Sequence, residues 1–172
     1  NAPYAASLAI LKENCVGSTT SVIAKHALLD VCGLFDEEMP ARQDYDMWVR
    51  LCQVTKVGVV KQSCVEYHNL AENNQISWDY RRFVAANDRL REKYGALRAQ
   101  RLSPLEGKSV LSREALSVAR KAFKAGRRDI VCVFARESLK IRFSPEGLAC
   151  LLAAYLPAGL VSRVYMSLCW KK

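Results

Sequence analysis

The chain has 172 residues, 51% of which are hydrophobic, and a formal net charge of +9. This hydrophobic content fills the core of one ordinary domain and excludes a disordered chain. Residues 1–77 carry six Lys and Arg against nine Asp and Glu, a net −3, whereas residues 78–172 carry twenty against eight, a net +12, which predicts two units with different roles.

The first unit, residues 1–77, mixes short apolar runs with turns, which is typical of an α/β fold. Segments 10–16, 56–60 and 63–67 have the composition of short strands. We therefore expect a sheet in this part of the chain.

Two helices are predicted among these strands. Apolar residues recur at helical spacing over 27–32, and Gly33 suits the left-handed position that follows a helix. A second helix is predicted to begin near Gln43, with Met47 and Trp48 in its inward stripe.

The segment "ARQDYDMWVRL" places two aspartates in the first turn of this second helix. Asp44 precedes Met47 and Trp48 by three and four residues, so its carboxylate is expected to face the same inner side. Asp46 is turned by about 200° from it and is expected to face away, where it pairs with Arg50 four residues later.

The spacing of Asp44 leaves its role open. An acid in the first turn stabilises the helix start, and the same ionised carboxylate serves as a general base if it faces a cleft. A metal clamp made with Asp46 is disfavoured, because no strand precedes the pair. A carboxylate folded onto neighbouring amides, with no cavity before it, would make this an ordinary capped helix.

The second unit, residues 78–172, is predicted to be all-helical. Its first helix carries an apolar face made of Phe83, Leu90, Tyr94 and Leu97. Amphipathic helices over 112–125 and 129–142 are expected to form a helical hairpin within 109–143.

The C-terminal segment, 144–172, opens with Ser-Pro-Glu and is apolar from 147 to 161. Spanning a bilayer takes about 20 apolar residues, and this run is shorter and is interrupted by Pro157. An amphipathic helix at a membrane surface, with Trp170 at the boundary, and a core helix both remain open.

Residues 16–51 contain several motifs in a fixed order: Gly-Ser at 17–18, Gly-Leu-Phe-Asp-Glu at 33–37, and Asp-Tyr-Asp-Met-Trp-Val-Arg-Leu at 44–51. This set resembles the acceptor-side half of the family 2 glycosyltransferases. The resemblance implies that roughly residues 8–77 form part of a GT-A-type, Rossmann-like α/β domain, followed by an all-α tail.

The resemblance also implies an activity. Family members are inverting enzymes that move a sugar from a nucleotide-sugar donor to a saccharide or lipid-linked acceptor, for example in surface polysaccharide synthesis. Asp44 takes the position of their general base, preceded here by Gln43 where the family has Glu. The implied substrate-binding residues are Gly17, Ser18, Gln43, Trp48 and Arg50. Trp48 is alternatively a core residue, and Arg50 a partner of Asp46.

The family further implies a divalent cation, Mg²⁺ or Mn²⁺, whose main ligands are expected upstream of this chain together with the nucleotide-binding half. His68 is a candidate metal ligand, or alternatively a loop histidine bonded to backbone. The isolated chain is therefore expected to be inactive.

The basic half of the chain, residues 78–172, bears on other classes of function. A non-enzymatic alternative is a helical protein-interaction module built on 109–143. Nucleic-acid binding is disfavoured, because the cations are dispersed and lack interleaved aromatics. The charge instead predicts peripheral contact with an anionic membrane surface. Seven cysteines without a C-x-x-C pair are expected to be reduced and mostly buried, which predicts a reducing compartment such as the cytoplasm. Together with the basic charge, this predicts a cytoplasmic protein with a peripheral position on the inner face of the cytoplasmic membrane.

Overall fold

In the computed structural model the described residues are 2–66 and 79–156, with side chains described from residue 6 onward. They form seven α-helices and one short 3-10 turn at Thr19–Ser21. The helices are α1 (Ala2–Lys12), α2 (His26–Cys32), α3 (Gln43–Val54), α4 (Tyr80–Arg101), α5 (Pro104–Lys124), α6 (Arg128–Ile141) and α7 (Pro145–Ala153).

The predicted α/β fold is wrong for these residues, because the two described ranges contain no strand. Predicted strand 10–16 begins inside α1 and continues as irregular chain, and 56–60 and 63–66 are irregular; position 67 lies outside the described residues. Strand composition stabilises a strand only where a neighbouring strand accepts its backbone hydrogen bonds. No such neighbour lies in the described ranges, so these segments stay irregular.

Helix α3 is the centre of the first hydrophobic core. It begins at Gln43 as predicted, and the five residues Tyr45 to Val49 are all buried. A helix buried on most of its faces has no single inward stripe. Ile10 of α1 and Leu90 of α4, neither of them exposed to solvent, belong to the same core.

Helix α4 joins this core from the second half of the chain. Asp79 caps it by accepting a hydrogen bond from the backbone of Arg81. Its predicted apolar face is confirmed: Leu90 and Tyr94 are buried in the core, and Phe83 and Leu97 pack partly buried against it.

The predicted helical hairpin is confirmed as α5 and α6, although α5 begins eight residues earlier than expected, at Pro104. A capping box between Ser103 and Glu106 starts α5. The hydroxyls of Ser112 and Ser138, 2.8 Å apart, join the two helices across their buried face.

A second core lies between α5, α6 and α7. Its members are Leu116, Ala119, Ala122, Val131, Ala135, Cys150, Ala153 and Ala154. The expected Ser-Pro-Glu start of α7 is confirmed, since Ser144 caps the helix and Pro145 is its first residue.

None of the helices within 2–66 and 79–156 is both long and apolar enough to cross a bilayer. The end of the C-terminal segment, 157–172, lies outside the described residues, so its placement at a membrane surface stays a prediction. No disulfide joins the cysteines of the described ranges. Cys52 is buried and Cys64 is exposed, so the expectation of mostly buried thiols holds only in part.

Candidate functional site

The start of α3 is set by the backbone of Arg42, which is left-handed with φ 62° and ψ 27°. This conformation costs a non-glycine residue about 1 kcal/mol or more. Side-chain contacts compensate, because the guanidinium lies 4.5 Å from the ring centroid of Tyr45 and donates a hydrogen bond to Asn87 Oδ1. Burial lowers the pKa of Arg42. Helix α4 thus fixes the direction in which α3 begins.

Asp46 is fully buried at the centre of a charged cluster. Its Oδ1 accepts hydrogen bonds from the hydroxyl of Tyr94, at 2.7 Å, and from the ammonium of Lys93. Its Oδ2 accepts from Arg50 Nη2 at 2.7 Å and Nε at 3.1 Å. Burial alone would raise the pKa of Asp46, but the hydrogen bonds from Lys93, Tyr94 and Arg50 outweigh it and lower the pKa. Asp46 is therefore an ionised structural acid.

The predicted pairing of Asp46 with Arg50 is confirmed, but the expectation that Asp46 faces away from the core is wrong. The reason is that α4 packs against this side of α3, where Lys93 and Tyr94 contact the carboxylate of Asp46. Tyr94 belongs to the apolar face predicted for α4, so its burial is expected from the sequence, whereas its hydrogen bond to Asp46 is not. Lys93 had no signal of its own in the sequence.

Lys93 also reaches the loop before α3. Its Nζ lies 3.1 Å from Asp36 Oδ2, and Arg89 Nε lies 3.2 Å from the same oxygen. Desolvation would raise the pKa of Asp36, but hydrogen bonds from Lys93, the Glu38 amide and Arg89 lower it. Two cations of α4 therefore hold the Gly-Leu-Phe-Asp-Glu segment against α4.

A second buried acid, Glu114 of α5, lies on the other side of α4. Its carboxylate accepts hydrogen bonds from Arg98 Nη1 and Arg91 Nε, each at 3.0 Å. Arg98 Nη2 also contacts the hydroxyl of Tyr45 at 3.2 Å, and that hydroxyl donates to the carbonyl of Ile10 at 2.7 Å. These bonds connect α1, α3, α4 and α5 around one buried ion pair. Sequence spacing gave no indication of it.

Asp44 is the second residue of α3, and the cap position belongs to Arg42. Asp44 is half-buried, and its Oδ1 accepts a 2.7 Å hydrogen bond from the backbone of Tyr45 in the same turn. Among the described residues no Lys or Arg forms a salt bridge with it. One oxygen is thus folded onto a neighbouring amide, as in an ordinary helix start, while the other has no hydrogen-bond partner in the described ranges.

The Gly-Ser segment meets α3 at Trp48. The indole Nε1 of Trp48 donates a 2.9 Å hydrogen bond to the carbonyl of Gly17, and its ring contacts Phe35 edge to face at 6.4 Å. Gly17 has φ +103°, which favours glycine. Ser18 is exposed, with its hydroxyl 2.7 Å from that of Thr20. Trp48 itself is 4% exposed, so its indole is a packing group.

Arg50 holds the end of α2 against α3. Its Nη1 donates to the carbonyls of Cys32, at 2.6 Å, and Gly33, at 2.5 Å. Gly33 has positive φ, 70°, as predicted, but its ψ of 144° lies outside the left-handed helical region. The side chain of Gln43 donates to the carbonyl of Met39 at 3.0 Å. These contacts position backbone, and substrate-binding roles for Gln43 and Arg50 stay predictions.

The described residues do not fit a metal centre. They contain no group of three or more His, Cys, Asp or Glu that could hold an ion. Asp46, the second acid of the Asp-x-Asp pattern, is already engaged by two cations and a hydroxyl. His68 lies outside the described residues, so its role as a metal ligand stays a prediction.

An open cavity of about 370 Å³, lined by described residues, lies at the far end of α3, away from Asp44. Its lining is polar and includes Ser7, Gln53, Lys56 and Arg101. Internal hydrogen bonds occupy part of that lining, since Gln53 donates to the carbonyl of Ser7 at 3.1 Å and Arg101 contacts the Ser7 hydroxyl at 3.3 Å. The cavity does not extend to the candidate base.

Comparison with protein-family models, with curated proteins and with solved structures found no match for this chain.

Proposed function

We propose that this chain is the acceptor-side part of an inverting, family 2-like glycosyltransferase, with Asp44 as its general base. The observation that carries the proposal is the convergence of the motif segments on the helix of Asp44. The carbonyl of Gly17 accepts from Trp48, and the carbonyl of Gly33 accepts from Arg50, both on α3. Segments that are separate in sequence thus pack around one helix.

The different surroundings of the two aspartates support the choice of Asp44. Both carboxylate oxygens of Asp46 already accept hydrogen bonds, from Lys93, Tyr94 and Arg50, so neither is available to take a proton from a substrate. Asp44 has one oxygen that accepts a hydrogen bond from an amide and one outside that contact. Base geometry in a ligand-free enzyme is often incomplete, so this arrangement is compatible with the role.

In the proposed reaction, the acceptor hydroxyl gives its proton to Asp44 as its oxygen attacks the anomeric carbon of the donor sugar. The nucleotide leaves from the opposite face, and the configuration at that carbon inverts. The acceptor is a saccharide or a lipid-linked saccharide. The described residues supply no ligand set for the divalent cation of the family, so no step is assigned to it.

The decisive experiment is Asp44→Asn in the intact protein that the gene encodes, assayed for sugar transfer from a panel of nucleotide sugars. We expect turnover to fall at least 100-fold, which is the lower range for loss of a general base. Asp88→Asn is the matched control, because Asp88 is an exposed aspartate of α4. Full turnover by Asp44→Asn would reject the base assignment.

We also propose that the protein acts in the cytoplasm at the inner face of the cytoplasmic membrane. The net +12 of residues 78–172 supports this, because each Lys or Arg near an anionic surface contributes about 1 kcal/mol. Flotation with vesicles tests it. Binding should require anionic lipid and decrease with salt, and binding indifferent to both would contradict it.

A non-enzymatic role as a helical interaction module is the second candidate. It is favoured by apolar side chains that α6 and the region around α7 expose to solvent, among them Val133 at 57%, Phe143 at 69% and Leu152 at 55%. A specific partner enriched by the full chain should be lost with Val133→Ser and Leu152→Ser combined. Equal enrichment by the double variant would count against this role.

A further inference from the structure

The ammonium of Lys93 on α4 contacts two acids of the motif region at once. Its Nζ lies 3.1 Å from Oδ2 of Asp36, in the Gly-Leu-Phe-Asp-Glu segment, and it also forms an ion pair with Oδ1 of Asp46 on α3. These two acids are ten residues apart in the chain. One ammonium therefore closes the stretch 36–46 into a loop, and Asp44 lies inside that loop.

Short-range hydrogen bonds connect Asp36 to the start of α3. The backbone amide of Met39 donates to the carbonyl of Asp36 at 3.2 Å, and the side-chain amide of Gln43 donates to the carbonyl of Met39 at 3.0 Å. Gln43 is the first residue of α3 and directly precedes Asp44. On the other side, Asp46 follows Asp44 by two residues. Asp44 is therefore flanked on both sides by chain that the ammonium holds.

Apolar burial contributes little to holding the 33–38 segment in place. Leu34 is 66% exposed and Phe35 is 41% exposed, with only the edge-to-face contact between Phe35 and Trp48 on its inner side. A segment with so little buried apolar surface opens locally at a small free-energy cost unless polar contacts hold it. The ion pairs to α4 therefore determine how firmly this segment is fixed.

The contact of Lys93 with Asp36 is stronger than an ordinary surface ion pair. Such pairs contribute little, in part because a long side chain loses conformational entropy when it is fixed. Here the fully buried carboxylate of Asp46 already fixes the ammonium, so the second contact forms without that cost. Arg89 binds Asp36 and Glu38, whereas Lys93 is the cation of α4 that joins the segment to α3.

We propose that Lys93 is a positioning residue of the acceptor site, which fixes Asp44 by holding Asp36 and Asp46 on one ammonium. Its effect on catalysis rests on the proposed function, whereas the closed loop is a property of the fold. Lys93 acts through the two acids and not on the reacting atoms. Its loss should therefore displace the base and leave the binding of the donor sugar unchanged.

Hydrogen exchange of the full chain, followed by mass spectrometry, tests the loop. Lys93→Gln should accelerate exchange within 36–46 about tenfold or more, because a buried carboxylate loses a partner and the segment loses its link to α3. Asp36→Asn, which leaves the buried pair in place, should accelerate exchange within 36–42 about threefold. The amides of α6, in the second core, should exchange at an unchanged rate in both variants.

Two further variants serve as controls. Lys93→Arg keeps a cation with several donors and should stay within about threefold of the unchanged chain. Lys108→Gln makes the same chemical change as Lys93→Gln at an exposed lysine of α5, and exchange within 36–46 should not respond to it.

The catalytic consequence is measured as a split between kcat and KM in the intact protein. Lys93→Gln should lower kcat about 10- to 100-fold, because a small displacement of a catalytic group is costly. The KM for the nucleotide sugar should not change, and Lys93→Arg should recover most of kcat. A purely structural role would instead lower activity in proportion to the fraction of protein unfolded.

Three outcomes would overturn the positioning role. They are exchange within 36–46 that neither Lys93→Gln nor Asp36→Asn accelerates, equal acceleration in 36–46 and α6, and faster exchange with unchanged kcat. The second would indicate a general loss of stability. The exchange measurements do not involve sugar transfer, so their failure is distinct from a failure of the Asp44→Asn test.

Discussion

The hydroxyl of Tyr94 on α4 donates a 2.7 Å hydrogen bond to Oδ1 of Asp46 on α3, and it also lies 3.2 Å from the backbone carbonyl of Asp46. One side chain from the basic half of the chain thus contacts both the carboxylate and the backbone of the motif helix. Burial, together with this bond to Asp46, raises the pKa of Tyr94. The phenol therefore remains a neutral donor.

Asp46→Asn should lower the free energy of unfolding by about 3 kcal/mol, because removing one member of a buried ion pair leaves the other charges uncompensated. The affected cations are Lys93 and Arg50. Denaturant titration followed by circular dichroism measures the change, and Asp88→Asn, on the surface, should change it by less than about 0.5 kcal/mol. Equal values for the two variants would show that the buried cluster does not stabilise the fold.

Stability should depend on pH through Glu106. The hydrogen bond from Lys12, then those from Ser103, lower the pKa of Glu106 to about 2 from its ordinary 4.5. A lowered folded-state pKa contributes stability above pH 4.5, and that contribution is lost as pH falls from about 4.5 to about 2. The unchanged chain should therefore exceed Glu106→Gln in melting temperature at pH 7, and the two should converge near pH 2.

Replacing glycine by alanine should have opposite effects on stability at two helical positions, Gly147 and Gly95. At Gly147 an added Cβ would lie 2.9 Å from Ser144 Oγ and 3.0 Å from Leu139 Cδ2, so crowding should cost about 1–3 kcal/mol. At Gly95, inside α4, an added Cβ meets no atom within 4 Å. Because alanine has the higher helix propensity, Gly95→Ala should raise the free energy of unfolding by about 0.5–1 kcal/mol. Thermal denaturation compares the pair, and destabilisation by Gly95→Ala would contradict the expected fit.

Thiol labelling should distinguish Cys52 from Cys64. Cys52 is buried in α3, and this burial raises its pKa to about 11, so little thiolate forms at pH 8. Cys64 is exposed in the irregular segment after α3. Iodoacetamide at pH 8 should modify Cys64 within minutes and leave Cys52 intact until denaturant is added, as followed by mass spectrometry of peptides. Rapid modification of Cys52 in the native chain would contradict its burial.

Helical periodicity and caps predicted much of this fold. The start of α3 at Gln43, the apolar face of α4, and the cap of α7 at Ser144 each depend on residues within one or two turns, and such local signals can be read from sequence. The predicted strands failed because strand formation depends on a distant partner that composition does not reveal.

The site was predicted less well than the helices. The spacing of Asp44 and Asp46 gave their relative angle on α3 correctly, but which one lies inside depends on how many neighbours surround the helix. Lys93 and Glu114 are buried or half-buried through ion pairs with residues far along the chain. No local pattern identifies such pairs, since Lys and Glu are ordinarily surface residues.

The bonds that α4 makes to α3 bear on any attempt to divide this polypeptide. Cutting between residues 66 and 79 and separating the pieces would leave Asp46 without Lys93 and Tyr94, and Tyr45 without Arg98. In the piece that contains the motifs, the carboxylate of Asp46 would then keep Arg50 as its one remaining partner among those described here. Shortened versions intended for crystallisation or assay should therefore keep α4, or they will be recovered as aggregates.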